Sequence, residues 1–271
     1  MVYPGRRNGT YRDKIKTPVT GFPVPARVVS GLLPILASLN LKLIIMEFKF
    51  YGHACFSVTL ADGKVLLFDP FITGNPLAGS VDADAIRADY ILVSHGHGDH
   101  TGDLMAIAKR TGALVISNAE ITDWVKEEGY ENVHPMNFGS RQFDFGMVHY
   151  VPATHSSSLP DGSYGGNPGG FIVETGEKTF YYTGDTSLTM EMQLVPYYAR
   201  VDVAIMPVGG NFTMDYKQAV IASDFIKCNK VIGVHFDTFG YIVIDQKAAV
   251  QAFKEKNKEL ILPEIGQSIL L

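Results

Sequence analysis

Apolar and polar positions settle into a regular rhythm at Met46. From there the runs MEFKFY, CFSVTL and KVLLF are short and rich in aromatic or β-branched residues, and Gly52 and the Asp62-Gly63 pair separate them. Short apolar runs bounded by turn residues predict strands. Apolar, β-rich runs then alternate with helical spacing: DYILVS precedes a predicted helix over 103–110, and ALVIS precedes one over 119–128. RQFDF, MVHYVPAT, FIVET and TFYYTG form a block of strands, the last two joined by a tight turn at Gly176. The final third alternates again, with VDVAIMPV, a helix over 216–227, KVIGVHF, a helix over 246–256 and a closing ELIL strand. That order predicts an α/β (α+β) chain in which helices cover two mixed sheets. No short-period repeat or low-complexity tract appears.

The first 45 residues follow a different pattern. Gly, Pro, Arg and Lys crowd 1–27, and the apolar stretch 28–45 is interrupted by Pro34, Asn40 and Lys42. A basic leader before an apolar stretch is one mark of a secretory signal, but this leader is long and no clear small-residue cleavage site follows. The reading adopted is an N-terminal extension over 1–45, dispensable for catalysis or the product of an over-extended gene start. The catalytic domain is then 46–271.

Composition narrows the function classes. With 46% hydrophobic and 19% charged residues, the chain has the make-up of an ordinary globular protein with a sizeable core. Its net charge is −5, yet the first 45 residues hold seven Lys or Arg against one Asp, so the remainder carries −11. An acidic domain disfavours a nucleic-acid partner. No apolar run is long enough to predict a membrane span. Cys55 and Cys228 form neither a CxxC pair nor a cluster, so both read as buried hydrophobes in a reducing, cytoplasmic setting. Secretion would follow only if 1–45 were a signal. A small-molecule substrate is expected, and the sequence allows a homo-oligomer without requiring one.

The chemistry concentrates in Ser94-His95-Gly96-His97-Gly98-Asp99-His100-Thr101-Gly102-Asp103. Three imidazoles and a carboxylate fall within six residues, and these are the side chains that hold catalytic zinc and related divalent ions. On an extended backbone His95 and His97 point the same way, so both reach one ion, while Asp99 and His100 are displaced toward a second. Thr101 is the expected cap of the following helix. Three more candidates stand at the ends of predicted strands: His155 after VHYVPAT, Asp185 after TFYYTG and His235 after KVIGV. Side chains delivered from strand ends gather along one sheet edge, where loops open a pocket. Each alone reads as a turn residue; together with the histidine-rich loop they read as a metal site.

The HGHGDH run, a later His, an Asp in a TGD turn and a late His resemble the metallo-β-lactamase superfamily over the whole of 46–271. The resemblance implies a four-layer αβ/βα sandwich and a binuclear site. His95, His97 and His155 would hold one ion, Asp99, His100 and His235 the other, and Asp185 would bridge them. It also implies hydrolysis by a bridging hydroxide, with Asp99 handling a proton as the catalytic residue. Asp185 stands where antibiotic-hydrolysing relatives carry cysteine, which disfavours β-lactams. His97 stands where flavodiiron proteins carry glutamate, which disfavours a redox di-iron centre. The local sequences GHACF, DPF and GGNPGG resemble the metal-dependent hydrolase branch related to ascorbate-6-phosphate lactonase.

Zinc is the expected ion, with Mn2+ or Fe2+ also suited to N/O ligands. The expected substrate is a lactone, phosphodiester or thioester. Asp69 is a candidate support for a ligating imidazole. His53 and Asn211, with Thr213, are candidates for the pocket, and 156–170, rich in Gly and Ser, for a flap over it. His134 and His149 read as structural. A superfamily nuclease and a non-catalytic metal-binding module are the competing functions. The first lacks a basic exosite, and the second would more naturally close its ion with four protein ligands.

Overall fold

A computed structural model describes residues 46–271; the readings of 1–45 fall outside the described residues. One sheet is built from β1 (Glu47–Gly52), β2 (Cys55–Thr59), β3 (Val65–Phe68), β4 (Tyr90–Leu92), β5 (Leu114–Asn118), β6 (Val133–Met136) and β14 (Ser268–Leu270). The other contains β7 (Gly139–Phe143), β8 (Gly146–Pro152), β9 (Gly169–Glu174), β10 (Thr179–Tyr182), β11 (Val203–Pro207), β12 (Lys230–Val234) and β13 (Glu259–Ile261). Their orders are β14-β1-β2-β3-β4-β5-β6 and β13-β12-β11-β10-β9-β8-β7. In each sheet antiparallel hairpins give way to parallel strands, from β3 onward in the first and β10 onward in the second.

Side-chain alternation explains the layering. Leu66 and Phe68 on β3 face the other sheet, and Leu67 faces outward among Ile107, Ala108 and Ile121. On β10, Phe180 and Tyr182 face inward while Tyr181 meets the helical side with Ala219, Ala222 and Phe253. Phe48, Phe56 and Phe68 stack in series across the first sheet, and Tyr182 packs edge-on against the last two. Helices at Leu104–Thr111 and Ala119–Glu127 cover one outer face, and those at Tyr216–Ile226 and Gln246–Lys254 cover the other. The result is the four-layer sandwich.

Two strands escaped the sequence pattern. β6 carries Pro135 and pairs with β5 alone, an edge position where a missing N–H is tolerated. β14 is three residues long and is recruited by β1 across almost the whole chain. A further correction concerns the helix start. A short helix already spans Gly98–Thr101, and Thr101 donates its hydroxyl back to the His97 carbonyl instead of capping the next helix. The Asp103 carboxylate accepts from the Ile72 and Thr73 amides and so ties the histidine-rich loop to the segment after β3.

Candidate metal centre

The parallel strands deliver their C-terminal ends to one rim. Asp69 follows β3, Ser94 and His95 follow β4, Asp185 follows β10, and His235 follows β12. His155 arrives on the loop after β8, and His53 sits in the β1–β2 turn. Gly184 makes the approach of Asp185 possible: its φ is +61°, and a Cβ there would lie 2.5 Å from the Gly169 carbonyl oxygen. His53, Asp69 and His235 are themselves left-handed, with φ of 55°, 42° and 54°. Non-glycine residues held there mark a backbone constrained by its surroundings. One such constraint is visible, because the His235 amide donates to the His53 carbonyl at 2.7 Å.

All seven candidate ligands meet at this rim. His95 Nε2 and His97 Nδ1 face one another at 2.9 Å, and His155 completes a group of imidazoles whose ligand atoms lie within 4.8 Å. A second group joins Asp99, His100 and His235, and includes His53. Between the groups stands Asp185. Its Oδ2 is 3.0 Å from His235 Nε2, 3.2 Å from His100 Nε2 and 3.8 Å from His155 Nε2. One buried carboxylate oxygen thus faces three imidazoles from three loops.

Supporting contacts fix these orientations. Asp69, wholly buried, accepts from the Ser94 amide, the Ser94 and Tyr182 hydroxyls and His100 Nδ1, the last at 2.8 Å. A carboxylate acceptor requires a proton on Nδ1, so Nε2 is the nitrogen left to face Asp185. That Nε2 is buried without a hydrogen-bond partner, despite its closeness to Asp185. A buried polar atom in that state fits a cation ligand, and the all-N/O set suits a divalent ion. Ser94 Oγ lies 3.0 Å from His95 Nδ1. His53 Nε2 meets Asp99 Oδ2 at 3.2 Å while its Nδ1 meets Thr238 Oγ1 at 3.0 Å.

The electrostatics follow from burial and crowding. Burial opposes charge on His100, but the Asp185 and Asp69 carboxylates outweigh it and raise its pKa well above the ordinary value. For Asp185, burial again opposes charge and the facing His235 and His100 outweigh it, keeping the carboxyl ionised. Burial dominates at His95 and pushes it well below the imidazole range; it also lowers His97 and His155. Burial, assisted by His235, brings His53 down to about 4. Asp99 feels burial too, yet the His53 hydrogen bond and the neighbouring imidazoles hold it below the usual carboxylate range. The rim therefore combines imidazoles that burial keeps neutral (His95, His97, His155 and His53), a protonated His100 and two anionic carboxylates. A bound cation would take the place of the His100 proton.

A cavity of about 410 Å³ opens onto this centre, lined by His97, Asp99, His155, Ser156, Asp185, Phe212, His235, Phe239 and Tyr241. A larger one of about 550 Å³ shares none of the ligand candidates. Asn211 does not line the site cavity. It is exposed and left-handed at φ 58°, and it turns the chain so that Phe212 faces the cavity instead. Thr213 is buried, and His53 lies behind Asp99. Residues 156–170 are pinned at several points: Ser157 Oγ accepts from the Gly96 amide and donates to Gly165 O, and Asn118 donates to Gly165 O. His149, with Ser140 and Glu174, and His134, against Phe143, belong to strand packing elsewhere. Both cysteines are buried and unpaired.

Comparison with known proteins agrees with this fold. The Beta-lactamase superfamily domain model matches residues 64–236. A metal-dependent hydrolase of Flavobacterium johnsoniae is 53% identical over 227 residues, spanning 83% of this chain and all of that protein. One from Christiangramia forsetii is 53% identical over 228 residues, with the same coverage. Among solved structures, a metallo hydrolase from the archaeon Ignicoccus hospitalis superposes with a TM-score of 0.76 at 30% identity, covering 84% of this chain and 98% of that one.

Proposed function

Since this chain belongs to the metallo-β-lactamase superfamily and is a metal-dependent hydrolase, we propose that it cleaves a small ester-type substrate, a lactone, phosphodiester or thioester, with two divalent cations. The observation that carries the reading is the position of Asp185 Oδ2, within 3.8 Å of three imidazole nitrogens from separate loops. His95, His97 and His155 would hold one cation and Asp99, His100 and His235 the other, with Asp185 placed to serve both. Zinc is the favoured ion, given a nitrogen-rich set without thiolate. When bound, the cations supply Lewis acidity and acidify water toward neutral pH.

The chain's own groups do the rest. Asp69 fixes the tautomer and direction of His100, and His53 steadies one oxygen of Asp99. The side chain of Asp99 is partly open to the cavity, so its carboxylate takes up and passes on the proton of the attacking water. Two deep carboxylates and the absence of Lys or Arg from the lining, among the described residues, support a small substrate over a nucleic acid. Two buried cysteines, neither in a disulfide, support a cytoplasmic setting. Among the described residues no helix is long and apolar enough to cross a membrane. Residues 1–45 are read as an extension outside the catalytic domain.

Exhaustive chelation tests this function: it should abolish turnover of the lactone, phosphodiester or thioester that a screen identifies, and added Zn2+ should restore it. Stripping should be easier in acid. His100 carries a proton in the metal-free rim, so cation binding expels that proton and a falling pH favours its return. Metal content after dialysis at several pH values reads this directly. Undiminished turnover in thoroughly chelated protein would refute the function.

A further inference from the structure

Three aromatic side chains stand over the centre without taking part in holding a cation. Phe212 and Tyr241 are 51% and 79% exposed, yet their rings meet edge to face at 6.1 Å across two different loops. Phe239 lies between them and the centre, edge-on to His53 at 5.2 Å and near Phe71 at 6.5 Å. Large apolar side chains left in water at the mouth of a cavity call for a partner.

The backbone beneath them is built to present them. Gly210 and Asn211 are both left-handed, the Phe212 amide donates to Gly210 O at 2.7 Å, and Gly210 N donates to Met214 O. Phe212 therefore sits at the tip of a closed turn. On the other loop, the Asp237 amide donates to Ile242 O, and its carboxylate accepts from the Ile244 amide and Gln246 Nε2. That lacing spans Phe239 and Tyr241. No Lys or Arg faces the cavity among the described residues, and its polar groups are candidate ligands, Ser156 and the Tyr241 hydroxyl.

Resting on the hydrolase reading above, we propose that Phe212, Phe239 and Tyr241 form the specificity wall of this site, and that the substrate is an ester carrying an uncharged, apolar arm. The ester group would reach the cation centre while the arm lies against the three rings. The cations would offset Asp99 and Asp185 at the centre itself, but beyond it the lining offers no Lys or Arg among the described residues, so the part of the substrate that leaves the centre is uncharged. An apolar arm gains burial against the wall, about fourfold in affinity per methylene while contact lasts.

Alkyl hydroxamic acids of two to eight carbons test this without any turnover, because the head group binds cations and only the arm varies. Calorimetric titration of zinc-loaded full-length protein should show affinity climbing with chain length. In Phe212→Ala and Tyr241→Ala, with zinc content unchanged, that climb should shrink at least threefold between the shortest and longest arms. Length-independent affinity in the native protein would overturn the wall, as would an undiminished climb in both variants. If zinc-loaded protein binds no hydroxamate of any length, the wall is overturned, whereas protein that takes up no zinc at all refutes the cation centre and the hydrolase reading beneath it. As a second arm, among substrates sharing one ester head, those with an apolar arm should outrun those with an anionic arm of equal length in kcat/KM, and the reverse order would overturn the uncharged-arm assignment.

Discussion

Asp185→Asn is expected to cost the protein bound metal and to lower kcat/KM by about 10³-fold, on the scale seen when one preorganised electrostatic group is removed from an active site. Asparagine keeps the volume but removes the charge. In the native rim, a single carboxylate oxygen faces His235, His100 and His155 at 3.0–3.8 Å. Without it, His100 loses one of the two anions that hold its proton, and the two ligand groups lose the oxygen they share. Removing one partner from a buried charge cluster costs about 3–5 kcal/mol. The metal-free variant should therefore also unfold more easily than metal-free wild type. Elemental analysis and denaturant titration read the two effects separately. A variant retaining two equivalents of metal and normal turnover would remove Asp185 from the centre.

The second large effect belongs to a residue that touches no substrate. Asp69→Asn leaves four donors, from Ser94, Tyr182 and His100, aimed at a group that accepts through only one oxygen. At a position with no solvent exposure, each unmet donor costs roughly 1–3 kcal/mol. The same change releases His100 from its fixed tautomer, and loss of such a partner costs about 10–100-fold in metal affinity or activity. The expected signature is a fall in metal affinity together with lower stability in the metal-free state. A purely structural role would lower stability and leave metal affinity intact. A metal-binding titration of the folded variant decides between them.

Much of this was legible in the chain. The HGHGDH loop and the three strand-end candidates announce themselves by residue type and spacing, because ligand chemistry admits few side chains and the strand period fixes where they point. Asp69 was legible for a similar reason, as a carboxylate ending an apolar run. Other parts were invisible for identifiable physical causes. Tyr182 reads as one more core aromatic on β10, and only the packing of the two sheets brings its hydroxyl to Asp69. Phe212 and Tyr241 look like loop residues with no periodicity, since their roles depend on two turns that close in space. Asn211, following the strand VDVAIMPV, reads as a residue of the site's edge, whereas it lies outside the cavity lining and is left-handed in the turn that carries Phe212. β6 and β14 stayed hidden because short edge strands owe their existence to a neighbour, and neighbours are not written locally.

The most direct test of the cation centre is anomalous diffraction from crystals of zinc-loaded protein, recorded on both sides of the zinc edge. The account predicts two peaks, one among His95, His97 and His155, the other among Asp99, His100 and His235, with Asp185 touching both. Active protein whose anomalous density lies away from Asp185, or is absent altogether, would contradict it.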